Sequence, residues 1–215
     1  MRYETVLFDL DGTLTDSAPG LIRSLNHALV KLGFPPEEDA VLRAFIGAPL
    51  DEIFGRTYGC DEARIADGVV FFREYFTAKG LFENAVFDGV EPMLQTLRAA
   101  GVRIGLATSK PEPFARRILE HFGLAPLFTF IGGSTMEETR TAKHEVIDYV
   151  LAAMGADASA AVMVGDRAYD VEGARRCGLD AVGALYGYGT RAELETAGAA
   201  YLAAAPRDVA AFVLG

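Results

Sequence analysis

The second half of the chain alternates short apolar segments with amphipathic ones, and this alternation most limits the folds available to it. The apolar segments have the length of buried strands and are rich in Val, Ile, Leu and Ala. A strand that is apolar throughout is buried on both faces, so such strands between helices predict a parallel, doubly wound, Rossmann-like α/β sheet. We expect strands at Thr5–Phe8, Val102–Ala107, Thr129–Gly132, Ala161–Val164 and, as the last one, Ala181–Leu185.

A long helical block after the first strand interrupts the alternation. Between about residue 15 and residue 87 the sequence shows amphipathic helical patterns and no convincing strand; Leu25 and Leu29, for example, share a helical face that ends before Gly33. We therefore predict an inserted all-helical cap domain at 15–87 and an α/β core made of 1–14 and 88–215. The core would carry catalysis, and the cap would act as a lid and supply substrate specificity.

Charge and composition argue against several classes of partner. The formal net charge of -10 repels nucleic-acid backbones and anionic membrane surfaces. No apolar run approaches the roughly 20 residues that a membrane-spanning helix needs. The two cysteines are too few for a disulfide framework. We expect a cytoplasmic protein, monomeric or homodimeric, that binds neither nucleic-acid polymers nor membranes.

Polar side chains stand where the predicted strands end. Ligands of open parallel sheets bind beyond the carboxyl ends of the strands, so these side chains are expected to meet at one edge. Carboxylates, a hydroxyl and an ammonium group together suit phosphoryl transfer to a carboxylate with the help of a cation. In chain order the residues are Asp9, Asp11, Thr108, Ser109, Lys110, Lys143, Asp166 and Asp170.

The residue types suggest a division of roles at this edge. One carboxylate can attack phosphorus while a nearby carboxylate in a different environment exchanges a proton with the leaving oxygen, and Asp9 and Asp11 fit these two tasks. Asp9 and Asp166 also suit Mg²⁺, which prefers oxygen ligands. Lys143 would neutralise nucleophile and phosphate as a point charge. Thr108, with backbone N–H groups at the start of a helix, would hold phosphate oxygens.

These segments resemble the four motifs of the haloacid dehalogenase-like hydrolases, in order and along essentially the whole chain. The helical block is similar to the small α-helical cap of the phosphoglycolate phosphatase-like branch. Phe45–Leu50, Thr108–Pro111 and Tyr186–Gly189 resemble segments of both phosphoglycolate phosphatases and bacterial 5'-nucleotidases. The four motifs correspond to Asp9-Leu10-Asp11-Gly12-Thr13, to Thr108, to Lys143 and to Gly165-Asp166-Arg167-Ala168-Tyr169-Asp170.

The resemblance implies a Mg²⁺-dependent phosphomonoester hydrolase acting on a small phosphorylated metabolite, either 2-phosphoglycolate or a nucleoside 5'-monophosphate. It implies that Asp9 is the nucleophile and Asp11 the general acid/base, and that Thr108 and Lys143 complete the catalytic set. Mg²⁺ would be bound by Asp9, the main-chain carbonyl of Asp11 and Asp166, with Asp170 in or beside the ligand set. The phosphate group would contact Gly12, Thr108, Ser109, Lys143 and Arg167.

Three other functions stay open at this point. A phosphomutase of the β-phosphoglucomutase type would keep the same motifs, including Asp11. A dehalogenase would use Asp9 against carbon and leave Asp11 unexplained. A phospho-accepting regulatory or binding protein also arranges Asp, Thr or Ser, and Lys around Mg²⁺, although signalling receivers are shorter and lack a cap. Arg167 and Lys110 could also form ordinary surface salt bridges rather than contact substrate.

Overall fold

The computed structural model of the protein describes residues 1–136 and 139–215. Within them, one sheet contains six strands in the order β5-β4-β1-β6-β7-β8, and every neighbouring pair is parallel. The predicted doubly wound parallel fold is therefore confirmed. In chain order the strands are β1 (Thr5–Phe8), β2 (Thr15–Asp16), β3 (Ala85–Val86), β4 (Arg103–Pro111), β5 (Phe130–Ser134), β6 (Ala161–Gly165), β7 (Asp180–Ala184) and β8 (Tyr201–Ala203).

Helices fill the connections between successive strands of the six-stranded sheet. Short 3-10 turns lie at Gly80–Phe82, Ala125–Leu127 and Ala158–Ala160, and a π-helical turn lies at Ile53–Thr57. Among the described residues, none of the helices combines the length and apolarity required to cross a bilayer. The α-helices are α1 (Ala18–Lys31), α2 (Asp39–Arg43), α3 (Leu50–Glu52), α4 (Glu62–Ala78), α5 (Val90–Ala99), α6 (Glu112–His121), α7 (Lys143–Met154), α8 (Ala168–Arg176), α9 (Arg191–Ala197) and α10 (Pro206–Leu214).

Strand β1 is central to the sheet because it pairs with β4 on one side and with β6 on the other. All four of its residues are buried, as expected for a strand covered on both faces. From β1 the chain builds outward through β4 and β5, then returns to build through β6, β7 and β8 on the other side. Ligands bind where the strand order reverses, beyond the strand ends. Asp9 follows β1 and Asp166 follows β6 at that point.

One face of the sheet is covered by α7, α8 and α9, which share a buried apolar cluster with the strands. Side chains alternate along a strand, so Val6 and Phe8 point away from Leu7, and all three are fully buried. Both faces of β1 are therefore covered. The cluster on the Leu7 side consists of Leu7, Ala107, Val146, Ile147, Val150, Leu151, Ala161, Met163, Val171, Ala174, Leu179, Ala181, Leu194 and Ala197.

The chain forms two compact units, which are the core unit of residues 1–16 and 86–215 and the helical unit of residues 17–85. In the helical unit α1 and α4 pack together, and the buried side chains of α1 recur at helical spacing. The two-residue strands β2 and β3 are the departures from helix within the stretch predicted to be all-helical. The roles of catalytic core and lid stay predictions.

The sequence prediction is wrong about the last strand. Ala181–Leu185 is followed by β8, which pairs in parallel with β7. Strand β8 was missed because it is three residues long and lies in an Ala-rich tail, and Ala has a low strand propensity. Strand β4 also continues past its predicted end at Ala107 to Pro111, with a register shift against β5 between these two residues. Its polar residues Thr108–Lys110 hid the continuation.

The packing of α7 can be tested with a pair of identical substitutions. Val150 is fully buried on α7, whereas Val70 on α4 is 61% exposed. We predict that Val150→Ala lowers the free energy of unfolding by about 1.5–3 kcal/mol, because two buried methyl groups are lost. Val70→Ala should stay within about 0.5 kcal/mol of wild type. Urea unfolding of both variants measures this, and equal losses would contradict the packing described.

Candidate active site

The turn that follows β1 is built around one carbonyl group. The carbonyl oxygen of Leu10 accepts hydrogen bonds from the backbone N–H groups of Thr13, Leu14 and Thr15, at 3.3, 2.9 and 3.0 Å. The N–H of Asp9 continues the ladder to β6 by donating to Val164 at 2.9 Å. The turn thereby fixes the backbone on which two carboxylates, two residues apart, are carried.

Glycines in this turn and opposite it allow a close approach to Asp166. Gly12 has a φ of 81°, and a Cβ atom there would lie 2.3 Å from Asp166 Oδ2. At Gly187, a Cβ atom would lie 2.2 Å from the carbonyl oxygen of Gly12. A side chain at either position would displace the carboxylate or the turn, so both positions require glycine. Gly12, predicted to touch phosphate, therefore has a steric role beside Asp166.

Lys143 forms ion pairs with two carboxylates in the interior. Its Nζ lies 3.0 Å from Asp9 Oδ1 and 2.7 Å from Asp170 Oδ1, and it donates a hydrogen bond of 3.1 Å to the Ala107 carbonyl oxygen. The lysine side chain is 5% exposed, so these ion pairs are not weakened by water as surface pairs are. Lys143 is therefore not the solvated surface residue that an isolated lysine usually is.

Two local features place Lys143. It is the first residue of α7, whose N-terminus is capped by Glu145 Oε2 accepting from the N–H groups of Thr141 and Ala142 at 3.1 Å. Gly173 on α8 makes room for the lysine stem, because a Cβ atom there would lie 2.7 Å from Lys143 Cγ. The stem therefore runs between two helices and reaches the carboxyl end of β1.

Asp166 is fully buried and held by two donors. The Thr13 hydroxyl donates to Oδ1 at 3.2 Å, and the Tyr188 N–H donates to Oδ2 at 2.8 Å. The Tyr188 hydroxyl donates in turn to Asp16 Oδ1 at 2.8 Å. Tyr186, two residues before Tyr188, has a buried hydroxyl without a hydrogen-bond partner among the described residues. Burial and the negative charge of Asp166 raise the pKa of that phenol.

The carboxylates disfavour one another's charge. Burial raises the pKa of Asp9 to about 6; Asp170 and Asp11 also raise it, whereas the Lys143 ammonium and a hydrogen bond from the Thr108 hydroxyl lower it. Burial raises the pKa of Asp166 to about 8, with further increases from Asp170 and Asp9. Burial alone would lower the pKa of Lys143, but the negative charges of Asp170 and Asp9 outweigh burial and raise that pKa. One buried ammonium does not balance three carboxylates.

This arrangement fits a divalent cation. Asp9, Asp166 and Asp170 can each bring one carboxylate oxygen to a common site, with these atoms within 4.8 Å of one another. The donors are all oxygen, and the uncompensated negative charge is what a cation would neutralise. Asp170 is also held by Lys143 and by the Arg167 N–H, which donates to its Oδ2 at 3.1 Å. The side chain of Asp11 is outside this group.

Asp11 and Thr108 occupy neighbouring parts of the site. The Lys110 ammonium lies 2.6 Å from Asp11 Oδ2, with side chains 5% and 20% exposed. Thr108 is 1% exposed, and its hydroxyl contacts Asp9 while accepting the Lys110 N–H at 3.2 Å. Lys110, which the sequence left between substrate contact and surface salt bridge, is thus a buried partner of Asp11.

The other predicted phosphate contacts differ in their surroundings. Ser109 is exposed between two buried neighbours. Arg167 forms an ion pair in which its Nε lies 2.9 Å from Glu193 Oε1, and its side chain is only 25% exposed. The same Glu193 oxygen accepts the Ala168 N–H at the start of α8. Arg167 therefore helps to hold the turn after β6, which matches its alternative interpretation as a salt-bridge residue.

Sequence reasoning missed three residues of this region, namely Thr13, Tyr188 and Glu193. Thr13 and Tyr188 lie within segments that resemble family motifs, but the sequence assigned them no role. A residue that donates a hydrogen bond to a buried carboxylate leaves no periodic pattern in the sequence. Tyr188 lies in a glycine-rich run that superficially suggests a dinucleotide-binding loop, and its glycines instead approach Asp166. The signal available in the sequence was the pair of glycines at positions 187 and 189, because closely spaced glycines often mark a close approach of the backbone to another group.

The chain is similar in sequence to known enzymes along most of its length. A family model described as haloacid dehalogenase-like hydrolase matches residues 6–184. A protein from Pseudomonas aeruginosa named 5'-nucleotidase is 45% identical over 90% of this chain and 88% of its own length. One from Rhodospirillum rubrum named phosphoglycolate phosphatase is 34% identical over 86% and 80%. The two names correspond to the two groups that the sequence motifs resembled.

A further relative and a solved structure also match most of this chain. A Mycobacterium tuberculosis protein named tyrosine-protein kinase PtkA is 43% identical over 86% of this chain, which spans 63% of that relative. The crystal structure of a protein described as a predicted phosphatase from Clostridium acetobutylicum superposes with a TM-score of 0.94 at 41% identity, covering 100% of this chain and 99% of that one. The predicted family and enzyme class are thus confirmed: the chain belongs to the haloacid dehalogenase-like hydrolases and is similar to the phosphatases among them.

Proposed function

We propose that the protein is a Mg²⁺-dependent phosphomonoester hydrolase in which Asp9 is the nucleophile and Asp11 the general acid/base. The observation that carries this proposal is the position of Asp9. Its carboxylate is largely buried, 3.0 Å from the Lys143 ammonium, hydrogen-bonded by Thr108, and in reach of a cation site shared with Asp166 and Asp170. A carboxylate in these surroundings can attack an anionic phosphorus centre because the nearby positive charges offset the repulsion.

The first half of the reaction transfers the phosphoryl group to the enzyme. A bond forms between Asp9 Oδ and phosphorus while the bond from phosphorus to the ester oxygen breaks. The leaving oxygen takes a proton from the Asp11 carboxyl group and departs as an alcohol. Lys143 compensates the charge on Asp9 and on the transferred phosphoryl group, and the Thr108 hydroxyl holds Asp9 in place.

The second half regenerates Asp9. Asp11, now deprotonated, accepts a proton from a water molecule whose oxygen bonds to phosphorus. The bond between phosphorus and Asp9 breaks, and inorganic phosphate leaves. Asp11 is protonated again at the end, so the two halves use one group as acid and then as base.

Mg²⁺, when bound, would supply positive charge that stabilises the phosphoryl oxygens and the assembled carboxylates. Asp9 and Asp166 would hold it, with the Asp11 carbonyl as implied by the family motif. Asp170 both contributes an oxygen to this region and pairs with Lys143. Thr13 and Tyr188 fix the orientation of Asp166 toward this site.

For the substrate we propose a nucleoside 5'-monophosphate, with 2-phosphoglycolate as the second candidate. The first is supported by 45% identity to the relative named 5'-nucleotidase, and the second by 34% identity to the one named phosphoglycolate phosphatase. The name of the kinase relative is not transferred, because more than a third of that protein lies outside the match. A phosphomutase would return the phosphoryl group to substrate, so analysis of products from a sugar phosphate separates it from a hydrolase.

Phosphate release from a panel of phosphomonoesters tests the nucleophile. We predict that Asp9→Asn lowers kcat by at least about 10³-fold on every substrate that wild type hydrolyses, because the bond to phosphorus can no longer form. The exposed Asp67 on α4 offers a matched control, and Asp67→Asn should behave as wild type. Full activity of Asp9→Asn would reject the assignment, whereas isomer formation without free phosphate would favour the mutase.

The raised pKa values of Asp9 and Asp166 predict how metal-free stability depends on pH. Because both folded-state pKa values lie above the ordinary value of 3.8, the charged carboxylates cost folding free energy. That cost is absent below about pH 4 and complete above about pH 8. We predict that the Tm of the metal-free protein falls across this window. Asp166→Asn should raise the Tm of the metal-free protein at pH 8.5.

The same experiment tests the cation. Mg²⁺ at about ten times its Kd should raise the wild-type Tm by roughly 3–6 °C at pH 8.5. The increase should be smaller at pH 5.5, where protons compete for the carboxylates. Asp166→Asn should abolish it, and Asp67→Asn should leave it intact. An equal Mg²⁺ response in Asp166→Asn and wild type would exclude Asp166 as a ligand.

A further inference from the structure

Two residues of β4 face the two catalytic carboxylates in matching register. Thr108 and Lys110 are two positions apart on β4, and both are buried, whereas Ser109 between them is exposed. Their partners Asp9 and Asp11 are also two positions apart, on the turn after β1. The Thr108 hydroxyl contacts Asp9, and the Lys110 ammonium contacts Asp11. The end of β4 thus provides one polar contact for each carboxylate.

This placement depends on an irregularity in the sheet. Between Ala107 and Pro111, strand β4 advances four residues while β5 advances two, from Gly132 to Ser134. Extra residues of this kind bend a strand and redirect its side chains, and they are frequent next to active sites. The Lys110 N–H donates to the Thr108 hydroxyl at 3.2 Å, so the two side chains are fixed relative to each other.

The two oxygens of Asp11 have different surroundings. Oδ2 lies 2.6 Å from Lys110 Nζ. Oδ1 is buried and has no hydrogen-bond partner among the described residues. An unpaired buried carboxylate oxygen costs folding free energy, so its presence in a native structure requires an explanation such as a role in catalysis. The contact with Oδ2 therefore leaves Oδ1 as the oxygen that can exchange a proton with a reacting group.

We propose that Lys110 is a positioning residue for the general acid/base: it anchors Asp11 Oδ2 and thereby aims Oδ1 at the leaving oxygen and the attacking water. The proton that Asp11 gives and takes is then carried on Oδ1 in both halves of the reaction. This inference rests on the proposed function, because it presupposes the acid role of Asp11. The competing interpretation is that Lys110 contacts the substrate phosphate directly as a point charge.

The two interpretations differ in their dependence on the leaving group. p-Nitrophenolate leaves without a proton, whereas an alkoxide needs one, so a misplaced general acid slows only the alkyl ester in the first half-reaction. The first turnover is measured with enzyme in excess, using p-nitrophenyl phosphate and the best alkyl phosphomonoester of the panel. Lys110→Met removes the charge and keeps most of the stem, and Asp11→Asn and the double variant complete a cycle.

We predict that Lys110→Met slows the first turnover of the alkyl ester by at least about 30-fold and that of p-nitrophenyl phosphate by less than about 5-fold. Asp11→Asn should show the same split, and the double variant should be no slower than Asp11→Asn. Lys79→Met, at an exposed lysine, should match wild type. A preserved Mg²⁺-induced Tm increase in Lys110→Met shows that the fold and cation site are intact.

Two other results would overturn the inference, and they bear differently on the proposed function. If Asp11→Asn shows the split but Lys110→Met weakens both substrates equally, through KM and additively with Asp11→Asn, then Lys110 contacts phosphate. The acid role of Asp11 stands in that case. If Asp11→Asn itself shows no split between the leaving groups, Asp11 is not the acid, and both the acid/base part of the proposed function and the role of Lys110 fail.

Discussion

The buried ion pairs of Lys143 with Asp9 and Asp170 are the interaction around which the rest of the site is arranged. A carboxylate buried without a partner would take up a proton, and a protonated Asp9 is a poor nucleophile. The ammonium opposes that outcome, although burial still dominates and raises the pKa of Asp9 to about 6. The start of α7 and the glycine at position 173 on α8 both serve to bring this one lysine to the end of β1.

The sheet topology explains why distant segments supply the site. Strand β1 pairs with β4 and β6, so residues that follow these three strands lie side by side although they are separated by about a hundred and fifty positions along the chain. Each segment contributes a different chemical group: carboxylates after β1 and β6, a hydroxyl and an ammonium at the end of β4. The helical unit is inserted between β1 and β4 without interrupting this pairing.

The sequence predicted the type of fold and most residues of the site, but it did not predict all the strands or the contacts within the site. Apolar strands and the polar residues after them predicted a parallel doubly wound sheet and the meeting of Asp9, Lys143 and Asp166 at one edge, because both follow from local pattern and topology. The continuation of β4 was hidden, because its polar residues break the apolar pattern, and β8 is too short to stand out. The pairing of Lys110 with Asp11 depends on a register shift, which no local pattern encodes.

The enclosure of Asp166 has a consequence for how this chain can evolve. Part of its wall is main chain, at Gly12, Gly187 and Gly189, and one of its donors is a backbone N–H. Because main-chain atoms are the same in every amino acid, most substitutions elsewhere leave the shape of this wall untouched. Natural variation can therefore alter what is recognised without altering the chemistry. Relatives named 5'-nucleotidase and phosphoglycolate phosphatase, whose names differ in the substrate, are what such insulation would permit.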